Sequence, residues 1–267
     1  MTYAQGYNKV SRLFFSNTDI QMGFMSTLVG REVLLLLLHM YRFHMFDGRL
    51  SSFNSDEELL REAQGLCMDP SRETTRVYCR VSESLSWPRL SFKGVTLVSF
   101  LNELASISDE WYEEHFAHLF DDLLLSPDPY GQYVDLPEPQ EIQDLIFSLV
   151  DINQVHSVYN PFAGLSSFGV NLPASCYYCG QEQISNVYAL SLLRLMAHNV
   201  TNYEFFNEDC LSLIPWKQSV IIRFHFQGHI ILIEFVLLLC HHLPKEERCV
   251  FCIYQTVVVH IIIIIDS

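Results

Sequence analysis

Val155-His-Ser-Val-Tyr-Asn-Pro-Phe-Ala-Gly-Leu-Ser-Ser-Phe168, read together with Ala174-Ser-Cys-Tyr-Tyr-Cys-Gly-Gln-Glu182, decides the fold. Val155 to Tyr159 is a β-prone run stopped by the Asn160-Pro161 step, and small residues follow before a helix start. A second β-prone run, Ala174 to Cys179, ends in Gly180-Gln181-Glu182, and a helical stretch from Asn186 to Asn199 comes next. Two strand–helix units within about 45 residues are the pattern of a parallel sheet covered by helices.

A sheet of this kind receives its ligand beyond the carboxyl ends of its strands, where small residues let the ligand approach the backbone. An acidic residue at the end of the next strand can accept hydrogen bonds from ribose hydroxyls. Gly164 and Glu182 together therefore point to a nucleoside-containing cofactor, although a small-residue turn after a strand also serves as a plain connection.

The segments Asn160 to Phe168, Gly180-Gln181-Glu182 and Tyr188 to Val200 resemble the S-adenosylmethionine-binding core of adenine-specific DNA methyltransferases, in particular the modification subunits of type I restriction systems. The resemblance implies a Rossmann-like α/β methyltransferase sheet preceded by an all-helical N-terminal domain. It also implies S-adenosylmethionine as cofactor, held by Asn160, Pro161, Phe162, Ala163, Gly164, Leu165 and Glu182. Ser166 and Ser167 stand where the family usually has glycines.

Two further segments fit in the same order. Gly131-Gln132-Tyr133-Val134-Asp135-Leu136-Pro137 is similar to the family's Gly-Gln-Tyr-x-Thr-Pro segment, which adds Gln132, Tyr133 and Pro137 to the expected pocket, with Leu136 in place of the usual Thr. Asn207-Glu208-Asp209-Cys210-Leu211 resembles the Gly-Asp-x-Leu segment, whose Asp, here Asp209, meets the cofactor's adenine.

The likeness stops at the catalytic tetrapeptide, which in the family is Asn or Asp, Pro, Pro, aromatic. Its polar side chain and a prolyl carbonyl accept hydrogen bonds from the amine of a flipped-out adenine, and its aromatic ring stacks on the base. After the β-prone run Ser219 to Ile222 this chain has Arg223-Phe224-His225-Phe226. Arginine accepts no hydrogen bond, and its charge opposes the charge that develops on the attacking nitrogen. Phe226 retains the capacity to stack. Three functions stay open: an adenine-specific DNA methyltransferase subunit, a catalytically inactive relative that serves as a binding or assembly module, and a methyltransferase with another substrate.

Composition bounds the answer. The chain has 267 residues, 49% of them hydrophobic, which is enough for one large or two modest cores. Its net charge is −15, with thirteen acidic against five basic residues from position 131 onward. Such a balance argues against tight DNA binding by this chain alone, because DNA affinity rests on phosphate neutralisation. Type I systems reach DNA through a separate specificity subunit, so the expected assembly is a hetero-oligomer with specificity and restriction subunits. No basic region followed by an apolar stretch opens the chain, and apolar runs such as Val33 to Leu38 and Ile261 to Ile265 fall short of the roughly 18 to 20 residues that span a bilayer. A cytoplasmic protein with no membrane partner is expected.

The eight cysteines include two pairs at metal-like spacing, Cys176/Cys179 and Cys249/Cys252. Both pairs fall in β-prone runs, where residues three apart point to opposite faces, so buried thiols and no metal are expected.

Residues 1–125 read as a helical domain. A buried helix is expected within Ile20 to Phe46, a capped helix from Ser55 to Leu66, a strand or helix over Thr74 to Val81, and helices over Val95 to Ala105 and Asp109 to Leu125. In the last, Trp111, Phe116, Leu119, Phe120, Leu123 and Leu124 line one face. The Pro- and Gly-containing stretch Ser126 to Gly131 begins the second domain, 126–267, in which Pro139 to Val150 is a helix covering the sheet. The run ending in Ile265 is expected to be paired in the sheet or against a partner, because exposed it would be an aggregation-prone edge, and the resemblance implies a truncated or degenerate copy without the family's remaining strands.

Overall fold

The computed structural model describes residues 1–20, 27–69, 75–85, 87, 96–126, 140–149, 152–209, 250–255 and 258–265. The chain divides into two compact units, Met1–Leu136 with Leu192–Ala197, and Pro137–Ser191 with His198–Ser267. Among the described residues no helix is long and apolar enough to cross a membrane.

The first unit is helical: α1 (Tyr3–Ile20), α2 (Thr27–Arg42), α3 (Asp56–Cys67), α4 (Thr75–Ser84), α5 (Thr96–Leu104) and α6 (Asp109–Leu125). α2 is its centre. Arg31 to Met40 are all buried, so this helix is enclosed around its whole circumference, and it packs on α1, α5 and α6. It ends at Arg42, short of the Phe46 that the apolar run suggested; His44 and Asp47 then take positive φ of 52° and 47° and turn the chain out of the helix.

The six α6 residues expected on one face are all buried, joined by Tyr112. Arg31, itself buried, caps that helix: its Nη2 donates to the carbonyls of Leu123, Leu124 and Ser126. The segment over Thr74 to Val81 resolves as the helix α4. At α3 the Ser55 hydroxyl accepts from the Glu58 amide at 3.2 Å, as the capping pattern requires, while the Glu58 carboxylate takes the amide of Asn54 at 2.9 Å, one residue earlier than the standard box. Buried Asp56 accepts the Val98 amide at 3.0 Å, which satisfies a free N–H in the first turn of α5.

His39 and Arg194 are further buried polar residues of this unit. His39 lies fully buried among Phe43, Tyr78, Phe116 and Phe120, with Nδ1 2.9 Å from the Tyr78 hydroxyl. Arg194, from the segment Leu192–Ala197, forms a bidentate pair with Asp121, Nε to Oδ1 at 2.7 Å and Nη2 to Oδ2 at 2.9 Å.

The second unit contains α7 (Gln140–Leu149), β1 (Ser157–Asn160), the five-residue α8 (Ser167–Asn171), β2 (Tyr177–Gln181), the first part of α9 (Ser185–Ala197), β3 (Tyr203–Phe206), β4 (Val250–Gln255) and β5 (Val258–Ile265). Its strands form one sheet in the order β3-β2-β1-β5-β4. β1, β2 and β3 are parallel, as expected from crossovers through helices. In β2, Tyr178 to Gln181 are all buried, which suits a strand covered on both faces.

The sheet departs from the all-parallel expectation on its other side. β5 pairs with β1 antiparallel, Ser157 opposite Ile265 and Tyr159 opposite Ile263, and β4 pairs antiparallel with β5. The reason is the connection: only positions 256 and 257 separate β4 from β5, and so short a link permits only a hairpin. The isoleucine run thus lies in a strand between β1 and β4: Ile263 is paired on both sides, Ile264 and Ile265 with β1, and Ile261 and Ile262 with β4. Because Val250 is opposite Ile263, β4 runs on past the carboxyl end of β1, and the hairpin extends on the side where the turn after β1 lies.

Candidate functional site

The turn between β1 and α8 is built from backbone bonds that the sequence sets locally. Asn160, buried at the end of β1, accepts the Phe162 amide with Oδ1 at 3.3 Å, and Pro161 prevents the strand from continuing. The Ala163 amide donates to the Gln181 carbonyl at 2.8 Å, which ties the turn to the end of β2. Gly164 then takes a φ of 50°, in the left-handed region, and Ser166 takes φ 58° and ψ 36°. Ser166 holds a conformation that glycine adopts without cost, at a position where glycine is usual in the resembled family. Its hydroxyl is buried and has no hydrogen-bond partner among the described residues.

Glu182 sits at the end of β2, beside this turn. Its Oε2 accepts the Gly164 amide at 3.1 Å and its Oε1 accepts the Ile184 amide at 2.7 Å. A carboxylate oxygen can accept more than one hydrogen bond, so Glu182 is chemically suited to hydroxyl donors as well as to these amides. The backbone of Glu182 is anchored to the next strand, its amide to Phe206 O at 3.0 Å and its carbonyl to Asn207 Nδ2 at 2.9 Å. Asn207 also donates to Gln183 O at 3.1 Å and accepts from the Ser185 hydroxyl at 2.9 Å. One amide side chain therefore fixes the β2–α9 loop against the end of β3.

Of the residues singled out in the sequence, Asn160 to Leu165 and Glu182 meet at the carboxyl ends of β1 and β2, and Asp209 follows β3, half-buried, at the same end of the sheet. Gln132, Tyr133 and Pro137 and the segment Arg223 to Phe226 lie outside the described residues. Sequence reasoning missed Asn207 as a clamp, Gln181, whose Oε1 accepts the buried Tyr159 hydroxyl at 2.6 Å, and Ser191 of α9, whose hydroxyl reaches Gly164 O at 2.5 Å. These bonds span 22 to 27 positions, so no local motif announces them.

Cys176 and Cys179 are buried free thiols, and burial pushes Cys176 up to about 11, so it stays protonated at neutral pH. Among the described residues no group of three or more His, Cys, Asp or Glu side chains is gathered as a metal would require.

No protein-family model matches the chain, and no curated protein matches it. Among solved structures it is similar to the crystal structure of the type I restriction-modification system methyltransferase subunit from Streptococcus thermophilus, at 14% sequence identity and a TM-score of 0.47, over 80% of this chain and 59% of that one. The chain thus spans little more than half the length of that protein.

Proposed function

We propose that the second unit binds S-adenosylmethionine and that the protein is an adenine-specific DNA methyltransferase subunit of the type I modification kind. The observation that carries the reading is the meeting of Gly164 and the Glu182 carboxylate at the carboxyl ends of parallel strands. The residues fit such a ligand. Gly164 has no Cβ to block approach to the turn, the Glu182 oxygens accept ribose hydroxyls, and the buried Ser166 hydroxyl has a hydrogen bond to give. Asp209, from the segment resembling Gly-Asp-x-Leu, is the acceptor for the adenine, and the resemblance of Gly131 to Pro137 to the family's Gly-Gln-Tyr-x-Thr-Pro segment assigns Gln132, Tyr133 and Pro137 to the same cofactor.

The cofactor supplies a methyl group made electrophilic by a sulfonium centre. The chain's own part is to bind and orient it. DNA would be reached through a specificity subunit, in a hetero-oligomer that also takes a restriction subunit, because thirteen acidic residues against five basic ones from position 131 onward repel phosphate. A second reading has its own observation: Arg223-Phe224-His225-Phe226 stands where the tetrapeptide belongs, so the chain could keep the fold and the cofactor as a non-catalytic assembly module.

Calorimetric titration with S-adenosylmethionine tests the binding claim. Saturable binding that is lost in Gly164→Arg and Glu182→Ala supports it; no heat at millimolar cofactor sinks it. Transfer of labelled methyl to DNA in the presence of a specificity subunit separates the two readings, since the assembly module binds the cofactor and transfers nothing.

A further inference from the structure

Gly164 is the residue of the turn with the widest backbone freedom, yet it is held on both sides. Its amide is fixed by Glu182, and its carbonyl accepts the Ser191 hydroxyl at 2.5 Å. Because each peptide is planar, the first bond orients the Ala163–Gly164 peptide and the second orients the Gly164–Leu165 peptide, so the two side chains together hold Gly164 at its φ of 50°.

Ser191 is conspicuous in its own helix. It is fully buried, and Ala189, Leu190, Leu192 and Leu193 around it are buried apolar residues. A hydroxyl in such surroundings is costly unless bonded. It has two acceptors, the Val187 carbonyl one turn back at 2.7 Å and Gly164 O, but only one proton. The closer acceptor lies outside the helix, on the turn.

We propose that Ser191 is a positioning residue of the ligand site, and that its hydroxyl holds the Gly164–Leu165 peptide in the orientation that the nucleoside-containing ligand meets. The inference rests on the cofactor reading above. Glu182 touches the ligand and the turn; Ser191 acts only through the turn.

The test is Ser191→Ala, which removes one oxygen from a buried site and leaves the helix favoured. Three readouts are taken on wild type and variant: the carbonyl 13C resonance of Gly164, amide exchange across 164–167, and S-adenosylmethionine affinity by calorimetry. The expected result is an upfield shift of the Gly164 carbonyl, faster exchange confined to the turn, and an affinity weaker by about tenfold, the effect of one lost hydrogen bond. An unchanged carbonyl resonance and unchanged exchange overturn the proposal, as does an unchanged affinity in a protein whose wild type binds. A wild type that binds nothing, with the carbonyl shift still present in the variant, brings down the cofactor reading and the ligand role of Ser191, and leaves the bond as a structural one.

Discussion

The amide of Gly164 lies 3.1 Å from Oε2 of Glu182, a bond between residues 18 positions apart that ties the turn after β1 to the end of β2. The Ile184 amide on Oε1 makes the same carboxylate the start of the approach to α9. Replacing Glu182 by Gln turns one acceptor into a donor facing an N–H, so Glu182→Gln is expected to cost about 1–3 kcal/mol. Urea unfolding at neutral pH reads this directly, and a midpoint equal to wild type would show that the carboxylate does not hold the turn.

Ser166 offers the opposite sign. It combines φ 58° with a buried hydroxyl that has no partner among the described residues, so it carries two local penalties. Ser166→Gly removes both and returns only some backbone entropy to the unfolded chain. A net stabilisation of about 1 kcal/mol is expected. A lower melting temperature for this variant would mean that the hydroxyl has a stabilising role.

Gly180 allows the sheet to close over an aromatic layer. A Cβ placed there would sit 2.1 Å from the ring of Phe205, which stacks on both Tyr178 and Tyr188. The ring has no room to retreat without breaking those contacts. Gly180→Ala is expected to destabilise by about 1–3 kcal/mol, and Gly180→Ala combined with Phe205→Leu to recover part of the loss. Full additivity in denaturant unfolding would sink the account.

What the sequence disclosed and what it hid follow from range. The α6 face, the Ser55 cap and the strand–turn pair at Asn160 are local patterns, and periodicity or turn chemistry reads them. α1 is less visible, because Gly6, Asn8, Ser11 and Asn17 are weak helix formers, and its buried Val10 and Phe14 show their purpose only against the rest of the helical unit. The direction of β5 is hidden too: Thr256-Val257 lacks the Gly or Asn that marks a tight hairpin. At the site, Gly164 and Glu182 were legible as residue types in a motif. Ser191 and Asn207 were not, since each matters through a bond to a residue far away in the chain.

Asp121 and Arg194 form a pair whose halves are not equally replaceable. The Arg194 side chain is 4% exposed and that of Asp121 19%, so removing the carboxylate takes a bidentate counter-charge from a guanidinium in a dry site. Asp121→Ala is expected to cost about 3–5 kcal/mol, and the double replacement Asp121→Leu with Arg194→Met to cost clearly less. A double-mutant cycle by urea unfolding measures the coupling, and a coupling near zero would show that the pair is only incidental.

His39 is expected to make the folded protein acid-sensitive. Burial among four aromatic rings lowers it to about 3, against 6.5 for an ordinary histidine, so it is neutral in the folded state over a range where the unfolded chain takes up a proton. The folded pKa is depressed, and the unfolded state therefore binds more protons between these two values. The stability this neutral ring contributes is fully present above 6.5 and falls steadily as pH drops from 6.5 towards 3. Between pH 7 and pH 5 the loss amounts to about 2 kcal/mol from this one group. His39→Phe cannot titrate, and although it gives up the bond to Tyr78 at neutral pH, its stability should change less over the same interval. Urea midpoints of the two proteins at pH 7 and pH 5 decide the matter: equal slopes with pH would mean that His39 is not the group that titrates on unfolding.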